Sequence, residues 1–221
     1  MIPNIIHAYW DGCDMPEPYA SWHLGLIDLN PDAQVFLWTQ ESATELLEIP
    51  EEMWASAANQ SEKSDIVRWY AVNRYGGVYT DTDVEWYKPV TNLLQCKAFI
   101  SQYLDRCNPQ TNGLVACVFG AEPGHNFAQK ALQLLWKRKD LDLCSGEKFG
   151  TLGDHAWHGH KDHVGDPITI LPPSYFFPYS ATVGERMGVP YGKNPPPNYA
   201  HLGGYAAHHW VGSWVEGKVH G

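Results

Sequence analysis

Two aspartates one residue apart, Asp81 and Asp83 in "YGGVYTDTDVEW", follow a short β-branched and aromatic run. Acidic residues are depleted from strand interiors, so a strand that ends in Asp-x-Asp asks for a use. Alternation along an extended chain puts both carboxylates on one side and Thr82 on the other. Such a pair repels unless it stays solvated or shares a cation. One reading is a solvated acidic turn. The other is a site for a hard divalent ion such as Mg²⁺ or Mn²⁺, which takes oxygen ligands and bridges to phosphate oxygens. Just upstream, in "SEKSDIVRWYAVNRYGG", Asp65 and Arg68 are neighbours on one helical face. They read either as an exposed ion pair of about 0.3–0.5 kcal/mol, or as a carboxylate for hydroxyls beside a guanidinium for phosphate. Either way, Arg68 reads as a helix-surface residue whose replacement the fold tolerates.

The elements that must position these groups alternate in type. "NIIHAYW" reads as a buried strand, "PEPYASWHLGLIDLN" as a helix with Trp22, Leu26 and Leu29 at helical spacing, and "AQVFLW" as a second strand. "SATELLEI" opens a further helix with a serine cap. The clearest helix runs from Ser61 to Tyr75, capped by Ser61 or Ser64. Ile66, Trp69, Tyr70 and Asn73 share its broad face, and Gly76-Gly77 ends it. "VYT" and "VEWY" are short strands, "AFISQYL" and "GLVACVFGA" longer ones, and a helix spans about 126–138. The first hundred residues therefore predict an α/β layer with a largely parallel sheet, in which ligands bind at the carboxyl ends of strands, where Asp81 sits. After residue 145, Gly, Pro, His and aromatics dominate, and that part is expected to be rich in loops.

Composition sets the outer bounds. The 221 residues suit one domain, and 44% hydrophobic with 18% charged residues excludes a disordered chain. A formal charge of −10 argues against binding a nucleic-acid backbone. No apolar run reaches transmembrane length. Five scattered cysteines without a CxxC predict neither a disulfide framework nor a zinc ribbon, which makes a reducing cytoplasm the expected location.

The whole block "SDIVRWYAVNRYGGVYTDTDVEW" closely resembles the DXD-motif region of sugar-transferring glycosyltransferases related to yeast initiating mannosyltransferases, capsular-polysaccharide transferases and clostridial glucosylating toxins. Ser64, Asp65, Arg68, Gly76, Gly77, Tyr79, Asp81 and Asp83 fill every fixed position of that pattern. "IPNIIHAYWDG" and "YAAHHWVGSW" resemble the opening and closing segments of the same family, so the likeness runs from residue 2 to residue 214. The resemblance implies a GT-A fold with a Rossmann-like mixed central sheet. It also implies a nucleotide-sugar donor, Mn²⁺ or Mg²⁺, and transfer of a hexose with retention of configuration. The donor expected is UDP-linked, with GDP-mannose open. The acceptor is a glycan, a protein, or a lipid-linked sugar reached at a membrane surface.

By the same resemblance, Asp83 binds the metal, while Asp81 reaches hydroxyls and a metal-bound water. Asp65 and Arg68 hold the transferred sugar. Trp10 stacks on the base with Tyr9 beside it, and Tyr79 belongs to the donor-side motif. Ser213 and one of His208 or His209 complete the metal site, and Trp214 covers the leaving group. Asn112 and Asp154 fall on the acceptor side. The expected organisation is a nucleotide-sugar half over 1–95 and an acceptor half over 96–221, whose end folds back over the donor. Two alternatives share some features: an aspartyl-nucleophile phosphatase using Mg²⁺, and a carbohydrate-binding module without catalysis. The histidines of "DHAWHGHKDH", at 155, 158, 160 and 163, suggest zinc by type but not by spacing. His7 and Trp22 read as core.

Overall fold

A computed structural model of the chain describes residues 1–12, 14–104, 112–141, 150–160, 165–178 and 203–210. The N-terminal part alternates strand and helix as its periodicity predicts: β1 (Ile5–Tyr9), α1 (Tyr19–Leu29), β2 (Gln34–Trp38), α2 (Gln40–Leu47), the short α3 (Glu51–Ala55), α4 (Gln60–Tyr75) and β3 (Gly77–Thr80). Beyond these come β4 (Val84–Trp86), β5 (Ala98–Tyr103), β6 (Gly113–Ala121), α5 (Asn126–Arg138), α6 (Leu152–His158), β7 (Thr169–Leu171) and β8 (Ala206–His208). Six strands form one sheet in the order β2-β1-β3-β6-β5-β7. β2, β1 and β3 are parallel, β6 is antiparallel to both β3 and β5, and β7 runs parallel to β5. The parallel expectation holds for the first three strands, and the sheet as a whole is mixed. It draws strands from both sides of residue 95.

Two helix starts differ from the sequence reading. α4 is capped by Asn59, whose side chain accepts the Glu62 N–H at 3.0 Å, rather than by Ser61 or Ser64. α2 is capped by Thr39, and Ser42 is the third helical residue, returning a hydrogen bond to the Thr39 N–H at 2.9 Å. Serine here plays the reaching-back part that glutamate usually takes in a capping box. The glycines that end α4 are sterically required. A Cβ on Gly76 would lie 2.6 Å from Pro123 Cδ, and one on Gly77 would lie 2.5 Å from the Ile5 carbonyl oxygen. Both have positive φ, so the pair turns the helix sharply and lets β3 pack directly beside β1.

Alternation along the strands feeds two cores. Val78 and Val118 join one with Ile6, Phe99 and Phe176, whereas Tyr79 and Phe119 join the other with Trp38, Trp69 and Phe127. Within the described part after residue 145, α6 supplies Leu152 and Ala156 to the second of these cores.

His7 is core, as expected. It is fully buried, its Nδ1 accepts the Trp38 indole N–H at 3.2 Å, and its Nε2–H donates to the Gly76 carbonyl at 2.8 Å. Burial pulls its pKa down to about 4, against a partial rise from the Gly76 hydrogen bond. The unfolded chain takes up this proton near the ordinary 6.5, so the native state binds fewer protons between 6.5 and 4 and loses stability as pH falls. Between those pH values, the unfolding free energy of the parent should drop by about 3 kcal/mol more than that of His7→Gln. Urea unfolding at stepped pH measures this, and parallel profiles would show that His7 is not the titrating group.

Candidate functional site

β3 is the fully buried centre of the sheet, and its carboxyl end delivers the two aspartates. Asp81 is anchored there by its N–H to the Cys117 carbonyl of β6, at 2.8 Å. The chain then turns rather than continuing extended: the Val84 N–H returns to the Asp81 carbonyl at 3.3 Å. The two carboxylates do come together, but through this turn rather than through strand alternation. The turn is held from behind by the Trp86 indole N–H on Thr80 Oγ1, 3.1 Å. After it β4 leaves the main sheet and pairs antiparallel with β8, Val84 opposite His208. The His209 N–H bonds the Asp83 carbonyl at 2.9 Å, fixing the end of β8 against the turn.

This pairing selects between the two histidines. His208 turns its Nε2 to 3.3 Å from Asp83 Oδ1, and ligand atoms of Asp81, Asp83 and His208 all lie within 4.8 Å of one another. Its Nδ1 is buried and makes no hydrogen bond among the described residues. His209 points elsewhere, to Glu85 Oε2 at 3.0 Å, and its ring stacks on Trp22 at 4.2 Å and 13°. Successive residues at a strand end face opposite ways, so His209 is not a member of the cluster. Trp22, read as core, therefore also holds the segment that carries His208. Ser213 and Trp214 lie outside the described residues, as do Val211 and Gly212 of the closing segment.

Arg68 is the organising charge. It is not a surface residue: Asp65 and Arg68 are only 6% and 7% exposed. Arg68 Nη1 lies 3.0 Å from Asp65 Oδ1 and 3.3 Å from the Ala116 carbonyl. Its Nη2 lies 2.8 Å from Asp81 Oδ1 and 3.3 Å from Ser64 Oγ. The guanidinium lies over the Tyr79 ring, 4.9 Å from its centre. Tyr79 itself is buried beneath it, so in this arrangement the ring supports Arg68 rather than lining the donor side. Burial opposes ionisation of Asp65 and Asp81 and raises both pKa values, Asp65 to about 6, while Arg68 pulls each back. Burial also opposes the charge on Arg68, but the two carboxylates outweigh it and keep Arg68 protonated. Against burial, Asp83 raises the His208 pKa above the ordinary value, which marks the position as one that favours a positive charge.

The remaining candidates gather at the same end of the sheet. β1 runs parallel to β3, which brings Tyr9 and Trp10 to that end. Tyr9 is buried and donates to Gln60 Oε1 at 3.1 Å, and Trp10 packs on Tyr19 at 5.2 Å. Tyr19 packs in turn on Trp22 at 5.8 Å, so aromatic rings run unbroken from Trp10 to His209. Burial, then Asp83, raises the Tyr19 pKa, placing this phenol within the field of the cluster. Tyr19 and Glu85 were missed by the sequence reading, because neither belongs to a local motif. β6 begins at this end too, with Asn112 exposed just before it. Asp154 accepts the Leu114 N–H at 3.1 Å and so ties α6 to the start of β6.

Residues 23–100 match the family described as the glycosyltransferase sugar-binding region containing DXD motif. Inositol phosphoceramide mannosyltransferase 3 of Schizosaccharomyces pombe is 32% identical over 139 residues, 61% of this chain and 37% of that protein. This chain therefore spans little more than a third of that relative's length. An uncharacterized glycosyltransferase, L373, of Acanthamoeba polyphaga mimivirus is 28% identical over 187 residues, covering 80% of this chain and 74% of that one. Among solved structures, the PaToxG glycosyltransferase superposes with a TM-score of 0.54 at 15% identity, over 74% of this chain and 71% of that one. The fold is the GT-A fold. Over residues 23–100 the chain is similar to glycosyltransferases whose sugar-binding region contains a DXD motif, a likeness that favours a sugar transferase over the phosphatase alternative. No helix among the described residues is long and apolar enough to cross a membrane.

Removing the Arg68 charge leaves the buried Asp65 and the half-buried Asp81 without this counter-charge. Arg68→Met should therefore cost about 3–5 kcal/mol of stability, and adding Asp65→Asn should recover part of the loss. Urea denaturation of the parent, both single variants and the double variant gives the coupling. A loss below about 1 kcal/mol for Arg68→Met would mean that the pair carries little weight.

Proposed function

We propose that this chain is a metal-dependent glycosyltransferase that moves a hexose from a nucleoside-diphosphate sugar to an acceptor with retention of configuration. The observation that carries the reading is the convergence of Asp81, Asp83 and His208 beside a carboxylate-bound Arg68. Two carboxylates and an imidazole suit a divalent ion, and the nitrogen ligand favours Mn²⁺ over Mg²⁺. Such an ion supplies positive charge opposite the diphosphate as it leaves. The chain's own residues set the frame. Arg68 fixes the outward face of Asp81, and Asp65 keeps the guanidinium in place. Trp10 offers a flat wall for the base, and Asn112 and Asp154 stand on the acceptor side. The free thiols Cys96 and Cys117 suit a reducing, cytoplasmic location, either free or at a membrane surface.

The relatives' names favour mannose among hexoses and a phosphorylinositol-bearing lipid among acceptors, so mannose is the sugar proposed. UDP-hexoses remain the comparison, because Trp10 can stack on any base. With Mn²⁺ present, the full chain should hydrolyse or transfer one nucleoside-diphosphate hexose from a panel. Chelation or Asp83→Ala should lower that rate at least 100-fold, and calorimetry should show matching loss of metal-dependent nucleotide binding. Rates indifferent to both treatments would remove the metal from the mechanism. An inverted product anomer, read by NMR, would remove retention. Binding of glycans without donor turnover would favour the binding-module alternative.

A further inference from the structure

A second group of metal-ligating side chains sits at the far end of the sheet. β6 is antiparallel to β3, so the residues that follow Ala121 lie at the end where β3 begins, opposite Asp81. There His125, at the entry of α5, meets His160, two residues past α6, and Asp166, ahead of β7. Ligand atoms of all three fall within 4.8 Å of one another. His125 and His160 are each 3% exposed, and their ring centres are 5.5 Å apart. A 430 Å³ cavity bounded by residues 122–126, 165 and 166 opens onto the group.

We propose that His125, His160 and Asp166 bind Zn²⁺, or another borderline divalent transition metal, at a site separate from the DXD cluster. The donor set decides the metal class: two imidazoles and one carboxylate suit zinc and its neighbours, whereas magnesium and calcium want oxygen. Three protein ligands leave a fourth position, which faces the cavity and takes a water. His125 Nε2 is buried and makes no hydrogen bond among the described residues, although Asp166 Oδ1 lies only 2.9 Å away; nitrogen and oxygen converge without the geometry of a hydrogen bond. The surroundings of His160 and Asp166 resemble those that orient metal ligands, whereas the other ring nitrogen of His125 accepts a backbone N–H. The Asn126 N–H holds Asp166 Oδ2 at 3.1 Å, and the Asp166 carbonyl holds His160 Nε2 at 2.6 Å.

Without metal, the Phe127 N–H donates to His125 Nδ1 at 3.2 Å, which places the ring proton on Nε2. Coordination through Nε2 requires that proton to move to Nδ1, so the ring must turn away from the Phe127 N–H, which then loses this acceptor. The ion would join the start of α5, the end of α6 and the approach to β7. Its effect is on folding, and it is independent of sugar transfer.

The test uses the full chain carrying Asp83→Ala, so that the first cluster cannot take the ion. After chelator treatment it is titrated with Zn²⁺ by calorimetry, and its thermal unfolding is followed with and without zinc. One Zn²⁺ per chain is expected, with a higher unfolding temperature in zinc. Adding His160→Ala should weaken binding at least tenfold and abolish the thermal shift. Adding Asp166→Asn, which keeps an oxygen for the Asn126 amide, should also weaken binding at least tenfold. Equal zinc heats in all three chains, or no saturable uptake in the first, would overturn the proposal. It would also fail if His160→Ala lowered the unfolding temperature while zinc shifted neither chain, since the three groups would then be a metal-free clasp.

Discussion

A buried guanidinium shared by two carboxylates is the constraint on which this site rests. The chain carries a formal charge of −10 and gathers Asp65, Asp81 and Asp83 close together at the end of its central strand. Carboxylates taken out of water repel one another, and Arg68 is the cation that lets the buried Asp65 and the half-buried Asp81 keep their charged forms. Its planar fork makes this possible, because one nitrogen meets each carboxylate. A lysine in its place would present a single point of charge to two separate acceptors. The arrangement spends most of Arg68's donors within the protein, where they orient Asp65 and Asp81.

The third member of the cluster depends on a different force. His208 reaches Asp83 because two three-residue strands pair outside the main sheet, and so short a ladder is weak by itself. The additional support comes from side chains: His209 is gripped by Glu85 and capped by Trp22, and the His208 N–H bonds the Phe176 carbonyl at 2.9 Å. Tyr87 also donates to Glu85, at 3.0 Å, and these two hydrogen bonds hold the Glu85 pKa low against its burial. Hydrogen bonding and stacking do here what a long strand would do elsewhere.

What the sequence made legible was local. The glycine pair, the helix before it and the aspartates after it lie within one short stretch, and each has a steric or electrostatic reason for its place. Strands β1, β2, β5 and β6 were readable because their β-branched and aromatic runs are long. The three-residue strands β7 and β8 were not, since so few residues carry no period. Burial of Arg68 was hidden because its second partner, Asp81, comes from a turn beyond the helix. The choice of His208 over His209 needed the register with β4. Histidines 155, 158, 160 and 163 drew attention as a local run, yet among the described residues His160 alone of these joins a three-residue group, with Asp166 and the sequence-distant His125. His163 lies outside the described residues.

The pairing of β4 with β8 also has a consequence for biosynthesis. The ribosome releases the chain from the N-terminus at about 5–20 residues per second, so Asp65, Arg68, Asp81 and Asp83 emerge well before His208. The central strands and α4 can assemble around Arg68 while the strand that completes the cluster is still unmade. The nascent protein thus passes through a stage with its sheet formed and its two aspartates lacking their imidazole. The three-residue cluster is complete only when β8 docks beside β4.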